Sequence, residues 1–268
     1  MSSLRHRFPL RFPRDRFPHP RLQRCLAAGL AAACLLALGA GRAVAAAAPA
    51  GALPTPIGAA QQLAVLSTAH GVRQEPEAGA PQTGLLPARG PITGEPTTVP
   101  VIGALTGSDG VRWLRVMLPG RPNGSTGWIA EQGTREMTTN WHLVVDLTAR
   151  RVRAYRAGHV VRTFQAVVGK PSTPTPTGEF FVQETLQMEP GEAGGPFALA
   201  LSARSNVLQE FEGGPGQIAM HGRNNLGGTL GAAESHGCIR LATASIEWLA
   251  ARIRPGTPVK IYEGTPTR

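Results

Sequence analysis

The run Ser235-His236-Gly237-Cys238-Ile239-Arg240-Leu241 sets a cysteine two residues after a histidine and two before an arginine. A second histidine ends the apolar run Ile218-Ala219-Met220 and opens His221-Gly222, with sixteen residues between His221 and Cys238. A cysteine attacks as its thiolate, and an ordinary thiol is mostly protonated near neutral pH, so the nucleophile needs a base. His221 comes from a separate segment and can be oriented independently of the cysteine, which favours it for that role. The Gly222 carbonyl is placed to accept the other ring N–H and set the tautomer. His236 shares the Cys238 face in an extended segment but is less well aimed. Gly237 has no Cβ, so a carbonyl can approach the backbone there. The Gly237 and Cys238 amides are the expected oxyanion donors, each typically worth about 2.7–4 kcal/mol of barrier. Arg240 alternates onto the Cys238 face and suits a substrate carboxylate; a solvated strand arginine is the plainer reading. Two duller readings compete for the cysteine. It can be a small buried hydrophobe. It can join His221 and His236 on zinc, although the flanks lack a second cysteine or a His-x-x-x-His spacing.

The elements that must carry these residues read as strands. Trp141–Leu147 is apolar and partly alternating, Arg151–Tyr155 alternates cleanly, and Ala157-Gly158 marks a turn before Val160–Val168. Lys170 to Gly178 is a proline- and threonine-rich loop, after which Glu179-Phe180-Phe181-Val182 restarts a strand. Residues 184–216 are rich in glycine and proline and are expected to form a flap over the site. Gln217–Met220 is a short strand that delivers His221. Thr243–Arg252 is predicted as the single helix, with Thr243 as N-cap and Ile246, Leu249 and Ile253 on one face. Val259–Tyr262 closes the domain as a strand. Upstream, residues 61–135 alternate short apolar runs with turns and suggest a small all-β module. Its strands are expected at Val99–Gly103, Trp113–Leu118 and Gly127–Ile129, with 75–97 as loose loop. Residues 46–60 read as an Ala/Pro/Gly linker.

Charge and cysteine count narrow the setting. Most of the formal +10 charge lies in residues 1–45, where eight arginines face a single acid, Asp15. No Lys/Arg stripe interleaved with aromatics follows, which argues against nucleic-acid binding. That N-terminus runs from an arginine-rich stretch through the apolar Cys25–Gly41 to Ala43-Val44-Ala45, the pattern of an export signal cleaved after Ala45. Seventeen apolar residues are short for a membrane span of about 20; retention as a membrane anchor is the alternative. Cys25 and Cys34 fall inside this segment, so Cys238 is the one cysteine an exported mature chain keeps. Exported proteins ordinarily pair their cysteines, and an unpaired one is a candidate reactive thiol.

The spacing from His221-Gly222 to Ser235-His236-Gly237-Cys238 resembles the L,D-transpeptidase family with its YkuD-type catalytic domain. Val168-Gly169-Lys170 through Thr175-Pro176-Thr177-Gly178-Glu179-Phe180, the strand into His221, and Trp141–Asp146 resemble that family as well. The similarity spans residues 140–263. It implies a mainly β fold, a β-sandwich with one short helix. The Trp113-Leu114-Arg115-Val116 and Gly127-Trp128-Ile129 segments resemble the Src-homology-3-like modules that precede such domains. The resemblance implies cross-linking of peptidoglycan stem peptides outside the cytoplasm, with no metal and no cofactor, and acylation by carbapenems. Cys238 maps to the nucleophile, His221 to the base, Gly222 to its orienting carbonyl and His236 to a supporting histidine. Ser235, Gly237, Arg240 and Met220 are the expected oxyanion and substrate-binding set. An L,D-carboxypeptidase, with water as acceptor, would use the same residues, and a wall-binding protein with a degenerate site is the non-enzymatic alternative.

Overall fold

The structure is a computed structural model that describes residues 57–211 and 213–264. The expected export signal and nearly all of the expected linker lie outside the described residues. Two β units follow one another. The first contains β1 Gln61–Leu66, β2 His70–Arg73, β3 Gln82–Leu86, β4 Thr98–Thr106, β5 Arg112–Met117, β6 Thr126–Ala130 and β7 Thr134–Thr139. They form one sheet in the order β3-β2-β6-β5-β4-β1-β7. Leu114, Val116 and Ile129 from its central strands are buried in one cluster with Val72 and Val99. β3 lies inside the stretch expected as loose loop, and β7 extends the unit past residue 135. Both are edge strands. β3 buries Leu86 alone and β7 buries no residue fully, so neither shows an apolar alternation.

The second unit contains β8 Trp141–Asp146, β9 Arg151–Arg156, β10 His159–Gly169, β11 Gly178–Gln187, β12 Phe197–Arg204, β13 Gln217–His221, β14 Ala233–Ser235, β15 Ile239–Leu241, the helix α1 Thr243–Ala250 and β16 Pro258–Tyr262. Two long strands make it a sandwich. β10 pairs β9 over His159–Gln165, then leaves it and pairs β15 over Ala166–Val167. β11 pairs β16 over Gly178–Phe181, then pairs β12 over Val182–Gln187. One layer is therefore β9-β8-β16 flanked by the first halves of β10 and β11. The other is β12-β13-β15 flanked by their second halves. A bulge at Val182/Glu184 accompanies the change of partner in β11, as expected where a strand turns; the bulge of β10 at Val160/Arg162 lies within its pairing with β9. The layers bury Leu143, Val145, Leu199, Leu201, Ile218 and Ile239 between them, each such side chain contributing about 1.5–3 kcal/mol by burial.

Three expectations change here. Residues 184–216 are not one flap: the end of β11 and the whole of β12 interrupt the stretch, leaving loops at 188–196 and 205–216. β12 escapes notice because Phe197-Ala-Leu-Ala-Leu-Ser-Ala-Arg is almost wholly buried between β11 and β13 and so shows no polar face. The helix stops at Ala250, and its N-cap is Ala242, with no side-chain cap bond; Thr243 is its first helical residue. Ile246, Leu249 and Ile253 do face the core.

The units dock through β11. Phe181 is 1 % exposed and belongs to the core cluster of the first unit. The buried Glu184 carboxylate accepts hydrogen bonds from the Ile92 amide (3.1 Å), the Thr93 amide (2.8 Å) and the Thr93 hydroxyl (2.9 Å). A desolvated carboxylate is tolerated because these donors replace its water.

Candidate active site

β13 and β15 run side by side and parallel, with Met220 opposite Ile239 and His221 opposite Arg240. Side chains alternate along a strand. Ile218, Met220, Ile239 and Leu241 therefore point into the core, at 2 % exposure or less. Ala219, His221 and Arg240 take the opposite face, and the Cys238 backbone leads straight into β15 on that side. The cysteine and histidine singled out from sequence thus flank two adjacent strands of one layer, His221 as the last residue of β13 and Cys238 just before β15.

His221 is mostly buried. Its Nδ1 lies 2.8 Å from the Gly222 carbonyl, so Nδ1 carries the hydrogen and donates it, leaving the lone pair on Nε2. Burial pushes its pKa below the ordinary histidine value, and the Arg240 charge acts in the same direction; hydrogen bonds to the Gly222 and Gly194 backbones oppose this only in part. The ring is consequently neutral at pH 7 and able to accept a proton. The 188–196 loop closes over it. A Cβ on Gly194, which has φ +86, would stand 2.8 Å from His221 Nδ1, and one on Gly222 would run into the Gly195 carbonyl. Both glycines are needed for that close approach. The Gly194 amide donates to the Asn224 carbonyl at 2.7 Å, and Asn225 Nδ2 to the Gly191 carbonyl at 2.6 Å, holding the loop down. These loop glycines carried no motif in the sequence.

Cys238 is partly buried. Its Sγ lies 4.0 Å from the Gln217 carbonyl at the start of β13. The turn before it is tightly wired. Ser235 Oγ donates to the Cys238 carbonyl at 2.6 Å and accepts from the Gly237 amide at 3.1 Å. Thr175 Oγ1 donates to the Gly237 carbonyl at 2.7 Å, Thr173 Oγ1 to the Ser235 carbonyl at 3.3 Å, and the Lys170 amide to the same Ser235 oxygen at 2.9 Å. The Thr-Pro loop thus clamps the cysteine turn from below. Thr175 entered the sequence reading only as part of the Thr175-Pro176-Thr177 run and Thr173 not at all; their signal is a threonine at every second position in a loop between two strands.

Three of the expected site residues act differently from the sequence reading. Ser235 is fully buried and serves the turn's backbone rather than a substrate. The Gly237 amide is spent on Ser235 Oγ and is not aimed at an oxyanion. Glycine is required at 237 for its φ of +120, with a Cβ there facing the Ile218 side chain at 3.1 Å, on the core side. Met220 is 0 % exposed on the core face and does not line the site. Arg240 is on the site side, with Nη1 donating to the Gly227 carbonyl at 2.9 Å, while its buried Nε has no hydrogen-bond partner.

His236 is exposed, and its ring stacks on Phe211 with centroids 5.6 Å apart and planes 30° apart. Phe211 comes from the 205–216 loop, which sequence reading treated only as part of a general flap. Among the described residues, no group of three or more His, Cys, Asp or Glu side chains gathers as a metal site would need.

The L,D-transpeptidase catalytic domain family model, YkuD, matches residues 140–261. A putative L,D-transpeptidase YkuD of Bacillus licheniformis is 33% identical over 124 residues, covering 46% of this chain and 67% of that protein. L,D-transpeptidase 1 of Mycobacterium tuberculosis is 26% identical over 214 residues, 65% of this chain and 82% of that one. Among solved structures, LD transpeptidase LdtMt1 in complex with imipenem aligns with TM-score 0.39 and 21% identity, covering 62% of this chain and 91% of that one. The catalytic domain of the E. faecium L,D-transpeptidase acylated by ertapenem aligns with TM-score 0.35 and 22% identity, covering 46% and 96%. The chain belongs to the L,D-transpeptidase family.

Proposed function

We propose that the protein is an exported peptidoglycan L,D-transpeptidase that works through a Cys238 thioester. Nε2 of neutral His221 takes the Cys238 proton as Sγ attacks the carbonyl of the third residue of a tetrapeptide stem. The carbon–nitrogen bond to the terminal D-alanine breaks, and the imidazolium returns the proton to the departing amine. An amine of a second stem then attacks the thioester, gives up a proton through His221, and regenerates the thiol with a new amide. Arg240 holds a stem carboxylate through its guanidinium. The N-terminal 1–45 segment directs export and is cleaved after Ala45, so the enzyme works outside the cytoplasm at the cell wall. The observation that carries the reading is the His221–Gly222 tautomer lock on the strand beside Cys238, within a family of this activity. Cys238 is the group a carbapenem acylates.

The test is mass spectrometry of products after incubation with a disaccharide tetrapeptide. Dimers with released D-alanine are expected. Tripeptide monomers without dimers would mean that water is the acceptor, making the enzyme a carboxypeptidase. Absence of D-alanine release would sink the proposal, and a Cys238→Ala protein with full activity would sink the assignment of the nucleophile.

A further inference from the structure

The first β unit reaches the 205–216 loop directly. Its β5–β6 connection inserts Arg121 into the mouth of the 205–216 loop. Nη1 donates to the Pro215 carbonyl at 2.9 Å, and Nη2 donates to the Ser205 carbonyl at 2.9 Å and the Leu208 carbonyl at 3.0 Å. Beside it, Asn123 Nδ2 donates to the Arg204 carbonyl at 2.7 Å, and Asn123 Oδ1 accepts from the Arg204 amide at 2.8 Å. The Gly120 amide donates to the Ser202 carbonyl at 3.0 Å. The loop is closed at its base by the Ser205 amide on the Gly216 carbonyl at 2.8 Å. One guanidinium therefore ties both ends of the loop to each other and to the first unit.

That loop meets the chemistry at two points. Its middle carries Phe211, which stacks on His236. Its C-terminal foot runs from Pro215 into Gln217, whose carbonyl lies 4.0 Å from Cys238 Sγ. We propose that Arg121 is a positioning residue for the thiol site: the first β unit, through Arg121, sets the 205–216 loop so that Phe211 orients His236 and Gln217 borders the nucleophile. On this reading the first unit is part of the enzyme's working geometry rather than a spacer. Lysine cannot replace the arginine, because a single ammonium lacks the planar fork that reaches three carbonyls at once. The proposal rests on the transpeptidase reading for its substrate, but its geometry does not.

The experiment uses the full chain with Arg121→Ala, Arg121→Lys, Phe211→Ala and the Arg121→Ala/Phe211→Ala double variant. Turnover of the disaccharide tetrapeptide gives kcat and KM, and the alkylation rate of Cys238 by iodoacetamide reports the thiol alone. Thermal melting identifies any variant that fails to fold. Arg121→Ala is expected to lower kcat/KM about tenfold while alkylation becomes faster, and Arg121→Lys to behave like alanine; in the Phe211→Ala background the Arg121→Ala effect on turnover shrinks to about twofold. Wild-type turnover and alkylation in Arg121→Ala would overturn the proposal. So would full restoration by lysine, or strict additivity with Phe211→Ala, since a merely structural arginine gives either result. A wild type without turnover sinks the transpeptidase reading, and the alkylation rates then decide the coupling on their own.

Discussion

The two histidines sit in opposite kinds of structure. His221 ends a buried strand, has Nδ1 fixed on its neighbour's carbonyl and lies under the glycine loop at 188–196. His236 is exposed and leans on a ring carried by the 205–216 loop. The same side chain is fixed by its own backbone neighbour in one place and lies against a loop ring at the surface in the other. Burial lowers the pKa of the first, and its Nδ1 is held by a backbone carbonyl rather than by a carboxylate.

The difference can be broken most severely at the buried end. His221→Ala is expected to lower kcat/KM by about 10²–10⁴-fold, the usual worth of a general base, read from steady-state rates on the tetrapeptide. Gly222→Ala places a Cβ against the Gly195 carbonyl, so the loop or the strand must shift; a loss of about 10²-fold is expected from displacement of the base alone. At the exposed end, His236→Ala and Phe211→Ala should each cost only about two- to tenfold, in keeping with one ring–ring contact. Equal losses at His221 and His236 would dissolve the distinction.

Proton titration sharpens it further. The His221 pKa is held below the ordinary histidine value, so the neutral base persists as pH falls through 6.5, and the acid limb of kcat/KM is expected below that pH. Arg240→Gln removes a positive charge that disfavours the imidazolium, and should move the limb upward toward the ordinary value, visible in a pH–rate profile even where KM also rises. A limb that stays in place would remove Arg240 from the neighbourhood of the base.

The smallest effect on activity is expected at a third histidine, which serves as a control. His142 in β8 has a buried Nε2 without a hydrogen-bond partner, and burial lowers its pKa to about 4, with Lys260 adding to the shift and Glu179 opposing it. The unfolded chain binds a proton near pH 6.5 that the folded chain refuses until about pH 4. Stability is therefore full above 6.5 and falls as pH drops toward 4, by roughly 3 kcal/mol in total. Denaturant melts across that range should show the loss, and His142→Phe should flatten it while leaving turnover at pH 7 nearly unchanged.

Much of the site was legible because it is local. The Ser-His-Gly-Cys run, the histidine after a short apolar strand and the Thr-Pro loop are contiguous motifs, and strand periodicity located most of β8 to β10, β13 and β16. Roles inside those motifs were less legible. Ser235 and Gly237 looked like substrate contacts, yet their hydrogen bonds turn inward, because a serine that satisfies a buried turn is indistinguishable in sequence from one that faces a ligand. Met220 sits one residue from the base, but alternation sends it to the core.

The residue types, their order and the two-residue spacing of strands are enough to single out Cys238 and His221 as candidate nucleophile and base, since candidacy depends on chemistry and local backbone geometry. Only the tertiary structure decided how they are held. Arg121 meets Pro215 across 94 positions, and Glu184 meets Thr93 across 91. The crossing of β10 and β11 between layers decides that β13 and β15 become neighbours. Such contacts depend on where distant segments come to rest, and nothing in the period of either segment records its partner.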